Sequence, residues 1–581
     1  MELVICAKRQ SILDAPGPVL VTGEPGSGKT TIALAKAQIF LETGLAPGQS
    51  VLFLSFSRAA VARIVAASKI QIPKTLRTSL SIQTFHSFFW EILQSYGYLL
   101  GAPRRLKLLL PQDEAALRNQ HESSGGVWRE ERERLFVEEG LVVFDLFSTK
   151  AAALLRTSLR LSSLYSGRHP LIVVDEAQDT SDDQWECVRL LSTRSQLVCL
   201  ADLEQQIYDF RPDVSSKRVI HILEALHPLQ VDLQGENHRS PASEIVEFAN
   251  DILFCTPRGS PYKGISRLNF RAKADLRDVA IRSAVGIALR KTKSAAGSEK
   301  IKSLAFLATR NRGVNIISRA LNGNGADIKT ISHRVMIDEA SILLSSRIVA
   351  FLLEPRPKES MSLLDLASAL ELTASVFRAQ GGKGNLSLAQ RMAESADQAR
   401  IGKLPRAKGI AAKILDVLAT LRKHRFSGDP RQDWLVARRM LRDTGANPLE
   451  SIAQDAEQLV AFQRGPRIAN ELANLWQNQG NYSGARIALD AALAEDQILS
   501  EASDLHGIHV MTIHKSKGKE FDVVIIFDDS NSSPLIFSPK ELPPYPRSRR
   551  LLRVGITRAR HYVLMLTDMY RPSELLAGHR L

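Results

Sequence analysis

The chain has 581 residues, too many for one ordinary domain of about 100 to 200 residues, so several units are predicted. Hydrophobic residues make up 44% and charged residues 24%, which excludes a disordered or fibrous protein. The formal net charge of +14 suits a polyanion such as nucleic acid, although a basic surface alone does not identify one.

The cysteines and the apolar runs exclude further classes. Four cysteines are scattered without a CxxC pair, so neither a zinc site nor a disulfide framework is predicted. No apolar run approaches the roughly 18 residues that a membrane span needs. We therefore predict a cytoplasmic chain without a membrane partner. Its oligomeric state is left open.

The first predicted elements are a strand, a glycine-rich turn and a helix, with the turn reading GEPGSGKT. Gly23, Gly26 and Gly28 permit a tight turn whose consecutive N–H groups face phosphate oxygens. Lys29 would place its charge on the outer phosphates, and the Thr30 hydroxyl suits Mg²⁺. This order of elements predicts a phosphate-binding loop for a nucleotide.

Three more buried strands follow, at 51–57, 171–174 and 196–201. The second leads directly into Asp175 and Glu176, and adjacent carboxylates at the end of a buried strand are costly without a cation. We assign Asp175 to nucleotide-bound Mg²⁺ and Glu176 to orienting and polarising the attacking water. Strands alternating with helices predict a parallel α/β nucleotide-binding domain.

Six ordered sequence blocks resemble the motifs of the UvrD/Rep family of superfamily 1 DNA helicases. They are GEPGSGKT, VVDEAQDT, LADLEQQIYDFRP, GENHRSP, VMTIHKSKGKEFDVVII and VGITRAR. The resemblance implies an α/β fold with two tandem RecA-like parallel-sheet P-loop domains, each carrying a helical insertion. The implied domains are 1A (1–90 and 144–235), 1B (91–143), 2A (236–351 and 504–581) and 2B (352–503).

The resemblance also extends the ATP site beyond the phosphate loop. It implies that Gln10 hydrogen-bonds adenine and that Gln205 senses the γ-phosphate. Arg239 and Arg558 match two arginines that reach this phosphate from domain 2A, where a permanently charged guanidinium suits a transferring phosphoryl group. Hydrolysis would then depend on closure of the two domains.

The residues around the nucleotide base and sugar depart in part from the family. Glu520 matches a residue near the sugar, and Gly518 lies in the same loop. Thr31 and His238 stand where many members have Arg and Tyr, which sandwich adenine. We predict weaker base stacking and laxer nucleotide choice.

For DNA, the resemblance implies aromatic stacking that is indifferent to base sequence. An aromatic residue beside a strand can equally be a core residue. The residues implied to stack on bases are Phe56, Tyr208 and Phe210, and the further candidate contacts are His86, Thr512 and His514. The basic residues at 547–550 and Arg553 could face DNA or simply solvent.

The two insertions have modest length. Residues 129–134 read REERER, which predicts a solvated helix face. Residues 475–489 have the spacing of a tetratricopeptide hairpin, but one copy cannot build a solenoid, so a plain helical hairpin is favoured over a partner-docking surface. The predicted last strand, 562–566, leaves little chain for an appended nuclease domain.

The leading hypothesis is an ATP- and Mg²⁺-dependent motor on single-stranded DNA and DNA junctions that unwinds duplex with 3′ to 5′ polarity. The alternative is a nucleotide-gated subunit that senses DNA ends and controls a partner nuclease in repair or anti-phage defence. RNA-directed unwinding is a third hypothesis, but nothing in the sequence identifies a reader of the 2′-hydroxyl.

Overall fold

The computed structural model describes residues 5–202, 215, 217–233, 239–295, 301–323, 329–336, 340–461, 465–498, 506–538 and 541–581. The chain forms two compact units. Unit 1 comprises Met1–Leu93, Ser148–Ile337 and Glu501–Leu581, and unit 2 comprises Gln94–Phe147 and Asp338–Ser500. Unit 1 contains two sheets. We call its described residues up to 233 the first lobe, and those from 239 to 336 and from 506 to 581 the second lobe.

The strands are β1 (Val19–Thr22), β2 (Val51–Ser55), β3 (Leu80–Thr84), β4 (Lys107–Leu108), β5 (Leu141–Val142), β6 (Leu171–Val174), β7 (Gln196–Ala201), β8 (Leu229–Asp232), β9 (Ile265–Phe270), β10 (Ser303–Ala308), β11 (Arg334–Met336), β12 (Gly507–Thr512), β13 (Phe521–Asp528) and β14 (Ala559–Asp568). The helices up to residue 322 are α1 (Ala7–Asp14), α2 (Lys29–Glu42), α3 (Arg58–Gln71), α4 (Lys74–Arg77), α5 (Phe85–Tyr96), α6 (Pro111–Ser123), α7 (Trp128–Arg134), α8 (Leu146–Thr157), α9 (Leu159–Arg168), α10 (Asp182–Leu191), α11 (Arg218–Leu226), α12 (Ile245–Phe254), α13 (Ala274–Ala295) and α14 (Asn311–Asn322). Of these, α6 and α7 belong to unit 2. The remaining helices are α15 (Ala340–Leu353), α16 (Ser362–Gln380), α17 (Lys383–Arg400), α18 (Ile410–Lys423), α19 (Pro430–Arg442), α20 (Asn447–Ala461), α21 (Gly465–Gln479), α22 (Ala485–Ile498), α23 (Ile513–Ser516) and α24 (Pro546–Ile556). Short 3₁₀ turns lie at Gly97–Leu100, Ala177–Asp179, Glu359–Met361 and Glu574–Leu576, and a π turn at Leu135–Glu139.

The first sheet has the strand order β3-β2-β6-β7-β1-β8, and all its pairs are parallel. Strands β2 and β6 are buried along their whole length, as parallel strands covered on both faces should be. The strands predicted at 171–174 and 196–201 are confirmed as β6 and β7, and the one predicted at 51–57 ends at Ser55. Because parallel strands end at one edge, the segments that follow β1, β2, β6 and β7 lie along it.

The second sheet is also wholly parallel, with the order β11-β12-β10-β13-β14-β9. All eight residues of β13 are buried, and β14 contains the predicted last strand. Helices α12 and α24 pack against each other, and their apolar residues join the core of this sheet. Two tandem parallel sheets confirm the predicted α/β class and are consistent with two RecA-like domains.

Unit 2 joins segments that are far apart in the sequence. Helix α6 of the segment 94–147 packs against α15 and α16 of the segment 338–500. Arg347 connects them, because its Nη2 donates to Asp113 Oδ2 at 2.8 Å while its Nε donates to Asp490 Oδ1 at 2.8 Å. Asn119 Nδ2 donates to Arg378 O at 2.6 Å. The structure thus places the two predicted insertions in one helical unit.

The observed bounds of unit 2 differ from those predicted for the insertions. The whole of α15 belongs to unit 2, because it packs against α16, α20 and α22. The sequence of this helix, ASILLSSRIVAFLL, is as apolar as a sheet-covering helix of a motor domain. Its composition therefore could not reveal that the second insertion begins before residue 352.

Two smaller predictions in unit 2 are confirmed. Helices α21 and α22 pack on each other as a hairpin, and Tyr482 between them is buried, with its hydroxyl donating to Asp433 Oδ2 at 2.7 Å. The Tyr482 ring lies 4.9 Å from that of Trp476. In α7, Arg134 is 42% exposed and forms ion pairs with Glu131, so the run REERER is a solvated helix face.

One segment is longer and more apolar than the sequence analysis anticipated. Residues Glu359–Gln380 form a helical stretch of 22 residues that contains an 18-residue window with a mean hydropathy of 1.2, enough by length and composition to cross a membrane. Half of this window is buried, and α16 within the stretch packs against α6, α15, α17 and α18. Packing inside unit 2 accounts for its apolar composition.

Candidate active site

The loop that joins β1 to α2 has the backbone expected of a phosphate cradle. Gly26 and Gly28 have φ angles of 88° and 89°, in the left-handed region that favours glycine. A Cβ atom on Gly23 would lie 2.6 Å from Ser27 Oγ, so a side chain cannot be accommodated there. The first residue of α2 is Lys29, and the positive end of this helix therefore points into the loop.

The ammonium group of Lys29 lies within this loop. Its Nζ donates to Gly23 O at 2.6 Å and to Glu24 O at 2.9 Å. Burial lowers the pKa of Lys29, and the neighbouring carboxylates of Asp202 and Glu176 oppose this effect. Phosphate oxygens are the same kind of acceptor as these carbonyls, with a full negative charge in addition. The environment of Lys29 therefore favours an anionic ligand.

The two carboxyl groups that follow β6 have pKa values shifted in opposite directions. Ser55 Oγ donates to Asp175 Oδ2 at 3.1 Å, and burial raises the pKa of Asp175. Glu176 has a φ of 54°, a strained value for a non-glycine residue, and its Oε2 accepts from Gln178 Nε2 at 2.6 Å. Burial alone would raise the pKa of Glu176, but the charges of Lys517, Arg558 and Lys29 and the hydrogen bond from Gln178 together lower it. Glu176 is thus kept ionised, as a water-orienting base must be.

The polar groups around the loop fit a nucleotide with Mg²⁺. Ser27 Oγ is buried and has no hydrogen-bond partner among the described residues. Thr30 follows Lys29 at the start of α2. Within the same described ranges, no group of three or more His, Cys, Asp or Glu could hold a metal. Mg²⁺ needs no such cage, because one or two side chains and the nucleotide phosphates bind it.

Two arginines of the second lobe lie beside this carboxylate pair. Arg239 Nη1 donates to Thr557 O at 3.0 Å, and Arg558 Nε donates to Val554 O at 2.9 Å. Burial, together with the charge of Arg239 and against that of Glu176, lowers the pKa of Arg558 to about 9. Arg558 therefore lies close to both Arg239 and Glu176.

Glu520 lies among three guanidinium groups. Its Oε1 accepts from Arg63 Nη1 at 2.5 Å and from Arg239 Nη2 at 2.7 Å, and its Oε2 accepts from Arg560 Nη2 at 3.2 Å. Burial opposes ionisation, but these charges, Arg239 first, hold the pKa of Glu520 far below its usual range. Here Glu520 bridges the two lobes, and its sugar contact stays a prediction. The sequence analysis missed Arg63. The feature that could have indicated it is an arginine within the otherwise alanine-rich helix α3.

The loop before Glu520 also meets the first lobe. Lys517 Nζ contacts Asp179 and lies 4.0 Å from Glu176 Oε2. Gly518 has a φ of 78°, and a Cβ atom there would overlap the hydroxyl of Ser57. Gly518 is thus required by a close approach of the lobes. The sequence analysis missed Lys517 although it lies in one of the six blocks. The block contains several lysines, and nothing in the sequence indicates which of them pairs with a buried carboxylate.

The residues predicted around the nucleotide base lie on the surface or beyond the described ranges. Gln10 is exposed, and its Nε2 donates to Asp14 Oδ1 at 2.8 Å. Thr31 is also exposed. Gln205 and His238 lie outside the described residues. The roles of all four stay predictions.

The predicted DNA contacts follow the ends of strands. Phe56 follows β2, and its half-buried ring lies 5.3 Å from that of Phe85, while His86 near the end of β3 is exposed. In the second lobe, Thr512 ends β12 and is half-buried. His514 lies one turn further, where burial and then the charge of Lys517 lower its pKa. Tyr208 and Phe210 lie outside the described residues.

Arg553 corrects both alternatives of the sequence analysis. Its side chain is 0% exposed, so it faces neither DNA nor solvent. The nearby Arg547 is exposed. The two arginines lie about 120° apart around α24, because six residues make about 1.7 helical turns. The run of arginines in this helix therefore has one buried member, which only the structure distinguishes.

The amino-acid sequence is similar to known protein domains and to known DNA helicases. Residues 10–211 match the model of an AAA domain, and residues 410–569 match that of the UvrD-like helicase C-terminal domain. YjcD of Bacillus subtilis is 22% identical over 96% of this chain and 78% of its own length. The ATP-dependent DNA helicase PcrA of Bacillus subtilis is 23% identical over 95% of this chain and 81% of its own. The ATP-dependent DNA helicase Rep of Escherichia coli is 22% identical over 46% and 45% of the two chains.

Replacement of Lys29 by alanine tests the phosphate loop. We expect Lys29→Ala to lower ATP hydrolysis, measured with single-stranded DNA present, by about 100-fold or more, because the outer phosphates lose their charge partner. The matched control is Lys69→Ala, on the exposed side of α3. Robust hydrolysis by Lys29→Ala would contradict the site.

Replacement of Glu176 by glutamine separates binding from chemistry. Glu176→Gln keeps the shape of the side chain but removes the base, so we expect turnover to fall by about 100-fold or more. Nucleotide and DNA should stay bound together, as measured by filter retention of a labelled strand with ATP. Glu42→Gln, at an exposed position of α2, is the control. Unchanged turnover in Glu176→Gln would exclude the assigned role.

Proposed function

Because the chain belongs to the UvrD/Rep-like superfamily 1 DNA helicases, we propose that it hydrolyses ATP to move along single-stranded DNA and to unwind duplex with 3′ to 5′ polarity. The observation that carries this proposal is the site formed by both lobes of unit 1. The first lobe supplies the phosphate loop and Glu176, and the second supplies Arg239 and Arg558. Hydrolysis then depends on how the lobes meet.

Nucleotide use is what this family has in common, and we propose ATP with Mg²⁺. Lys29 and the loop amides would bind the phosphates, and Thr30 and Asp175 would hold Mg²⁺, which neutralises charge on the phosphate oxygens. Glu176 would orient the water and accept its proton. Arg239 and Arg558 would stabilise the transferring phosphoryl group.

The proposed substrate is single-stranded DNA, including junctions that carry a single-stranded tail. Phe56 and His86 follow neighbouring strands of the first lobe, and Thr512 and His514 follow a strand of the second. A strand held by both lobes would be pulled when they close and released when they open. The charge of +14 would add affinity that is independent of base sequence.

The alternative is a DNA-end sensor that controls a partner nuclease. Tyr482, at the turn of the hairpin of α21 and α22, is buried within unit 2 and bonded to Asp433, so this aromatic residue is not available to a partner. A role in repair fits the family, whereas an anti-phage role has no support in the structure.

Unwinding of tailed duplexes tests both the activity and its polarity. With purified chain and ATP, we expect strand separation of a 3′-tailed duplex and little or none of a 5′-tailed or blunt one. A preference for the 5′ tail would contradict the polarity. ATP hydrolysis without unwinding, with unwinding or cleavage restored by a partner protein, would favour the sensor.

Nucleotide choice tests the departures at Thr31 and His238. Because Thr31 cannot stack on a base and the His238 ring is smaller than that of Tyr, base stacking should be weaker, and we expect kcat/KM for ATP to exceed that for GTP by less than about 100-fold. Thr31→Arg should increase the preference for ATP. A larger preference in the unaltered chain would show that other contacts read the base.

A further inference from the structure

Arg553 is a buried cation whose hydrogen-bonding capacity is only partly used. Its side chain is 0% exposed, and its Nε donates to Asn250 Oδ1 at 3.0 Å. Its Nη1 and Nη2 atoms make no hydrogen bond in the described parts of the chain. A guanidinium carries five N–H donors, and leaving buried donors unpaired is costly. Unpaired buried donors of this kind call for an explanation, and one explanation is that they find a partner in another conformation of the protein.

A carboxylate of the other lobe lies close to this cation. Arg553 Nη1 in the second lobe lies 3.7 Å from Asp202 Oδ1, at the end of β7 in the first lobe. This separation exceeds the usual hydrogen-bond limit by about 0.5 Å. A small closing movement of the lobes would therefore convert a loose ion pair into a charge-assisted hydrogen bond.

Asp202 is connected in turn to the residues proposed for hydrolysis. Its backbone N–H donates to Gln178 Oε1 at 3.1 Å, and Gln178 Nε2 donates to Glu176 Oε2 at 2.6 Å. The carboxylate of Asp202 also raises the pKa of Lys29 against the effect of burial. A shift of Asp202 is thus transmitted to both Glu176 and Lys29.

A second connection leads from Arg553 to the phosphate loop. Asn250 accepts from Arg553 through its Oδ1, and its Nδ2 donates to Glu24 Oε1 at 2.8 Å. Glu24 belongs to the same loop whose carbonyl group accepts from Lys29. Arg553 of helix α24 is therefore connected to the phosphate loop through Asn250, and to Glu176 through Asp202 and Gln178.

We propose that Arg553 is a positioning residue for ATP hydrolysis. When nucleotide draws the lobes together, its guanidinium forms a hydrogen-bonded ion pair with Asp202, which fixes Gln178 and Glu176 in the arrangement for attack by water. This inference rests on the proposed ATPase function. It assigns Arg553 no contact with the nucleotide.

The test is a double-mutant cycle of Arg553→Met and Asp202→Asn, with kcat and KM for ATP measured in the presence of single-stranded DNA. We expect Arg553→Met to lower kcat by about 10- to 100-fold, because misplaced groups lose rates of this order, while KM changes by less than about threefold. Asp202→Asn should lower kcat similarly, and the double variant should be no worse than Arg553→Met. Arg571→Met, at an exposed position, is the control.

Several outcomes would overturn this role. They are an unchanged kcat, a loss carried by KM as expected of a direct phosphate ligand, strictly additive single losses, or an equal loss in Arg571→Met. If Arg553→Met does not fold, Asp202→Asn, which keeps the shape of the side chain, and Arg553→Lys, which keeps the charge, provide the comparison. Arg553→Lys should retain more turnover than Asp202→Asn, and the reverse order would contradict the proposal.

Failure of the proposed function has a different signature. If the unaltered chain does not hydrolyse ATP, that function is wrong, whatever Arg553 does. The cycle is then measured from the shift in melting temperature that Mg²⁺ and a non-hydrolysable ATP analogue cause. Non-additive shifts would support coupling of Arg553 and Asp202 to the nucleotide site, and additive shifts would overturn it.

Discussion

Charge buried between the two lobes is the constraint on which the rest of unit 1 depends. Burial lowers the pKa of Lys29 and of Arg558 and raises that of Asp175, so each group alone would tend to lose its charge. Opposite charges nearby counter this tendency, and for Arg558 and Glu176 some of them come from the other lobe. Neither lobe could bury its own charged groups at this low a cost without the other.

Glu520 shows how this constraint prepares the site. Its carboxylate is shared by Arg63 of the first lobe and by Arg239 and Arg560 of the second. Arg239 therefore has an anion beside it before any phosphate is present, and the same carboxylate oxygen also accepts from Arg63 of the first lobe. A phosphate would compete with a carboxylate for this arginine, which makes the contact between the lobes sensitive to nucleotide.

The sequence alone was sufficient to predict those features whose residues are adjacent in the chain. The phosphate loop, strands β6 and β7 and the carboxylates after β6 are each contiguous in the chain, so periodicity and composition predict them. Arg553 could not be placed, because it follows a run of arginines that are exposed or half-buried and only the packing of α24 buries it. Lys517 and Arg63 escaped for a similar reason, since their partners are hundreds of residues away.

The insertions show the same limit on a larger scale. Helix α15 was predicted as part of a motor domain because its apolar composition does not depend on which core it enters. The resemblance to a family supplied the roles of Arg239 and Arg558, which spacing alone could not. It also suggested two separate insertions, whereas the structure joins them through Arg347, Asp113 and Asn119.

The packing of the two insertions into one unit affects the order in which the protein folds during synthesis. Helix α6 emerges from the ribosome long before α16, against which it packs. At about 5 to 20 residues per second, the intervening chain takes on the order of ten to fifty seconds to synthesise. During that interval the first segment of unit 2 lacks its partner, while the strands of the first sheet are already complete up to β8 well before α16 emerges. Assembly of the protein therefore begins with the nucleotide-binding lobe and must wait for the helical unit.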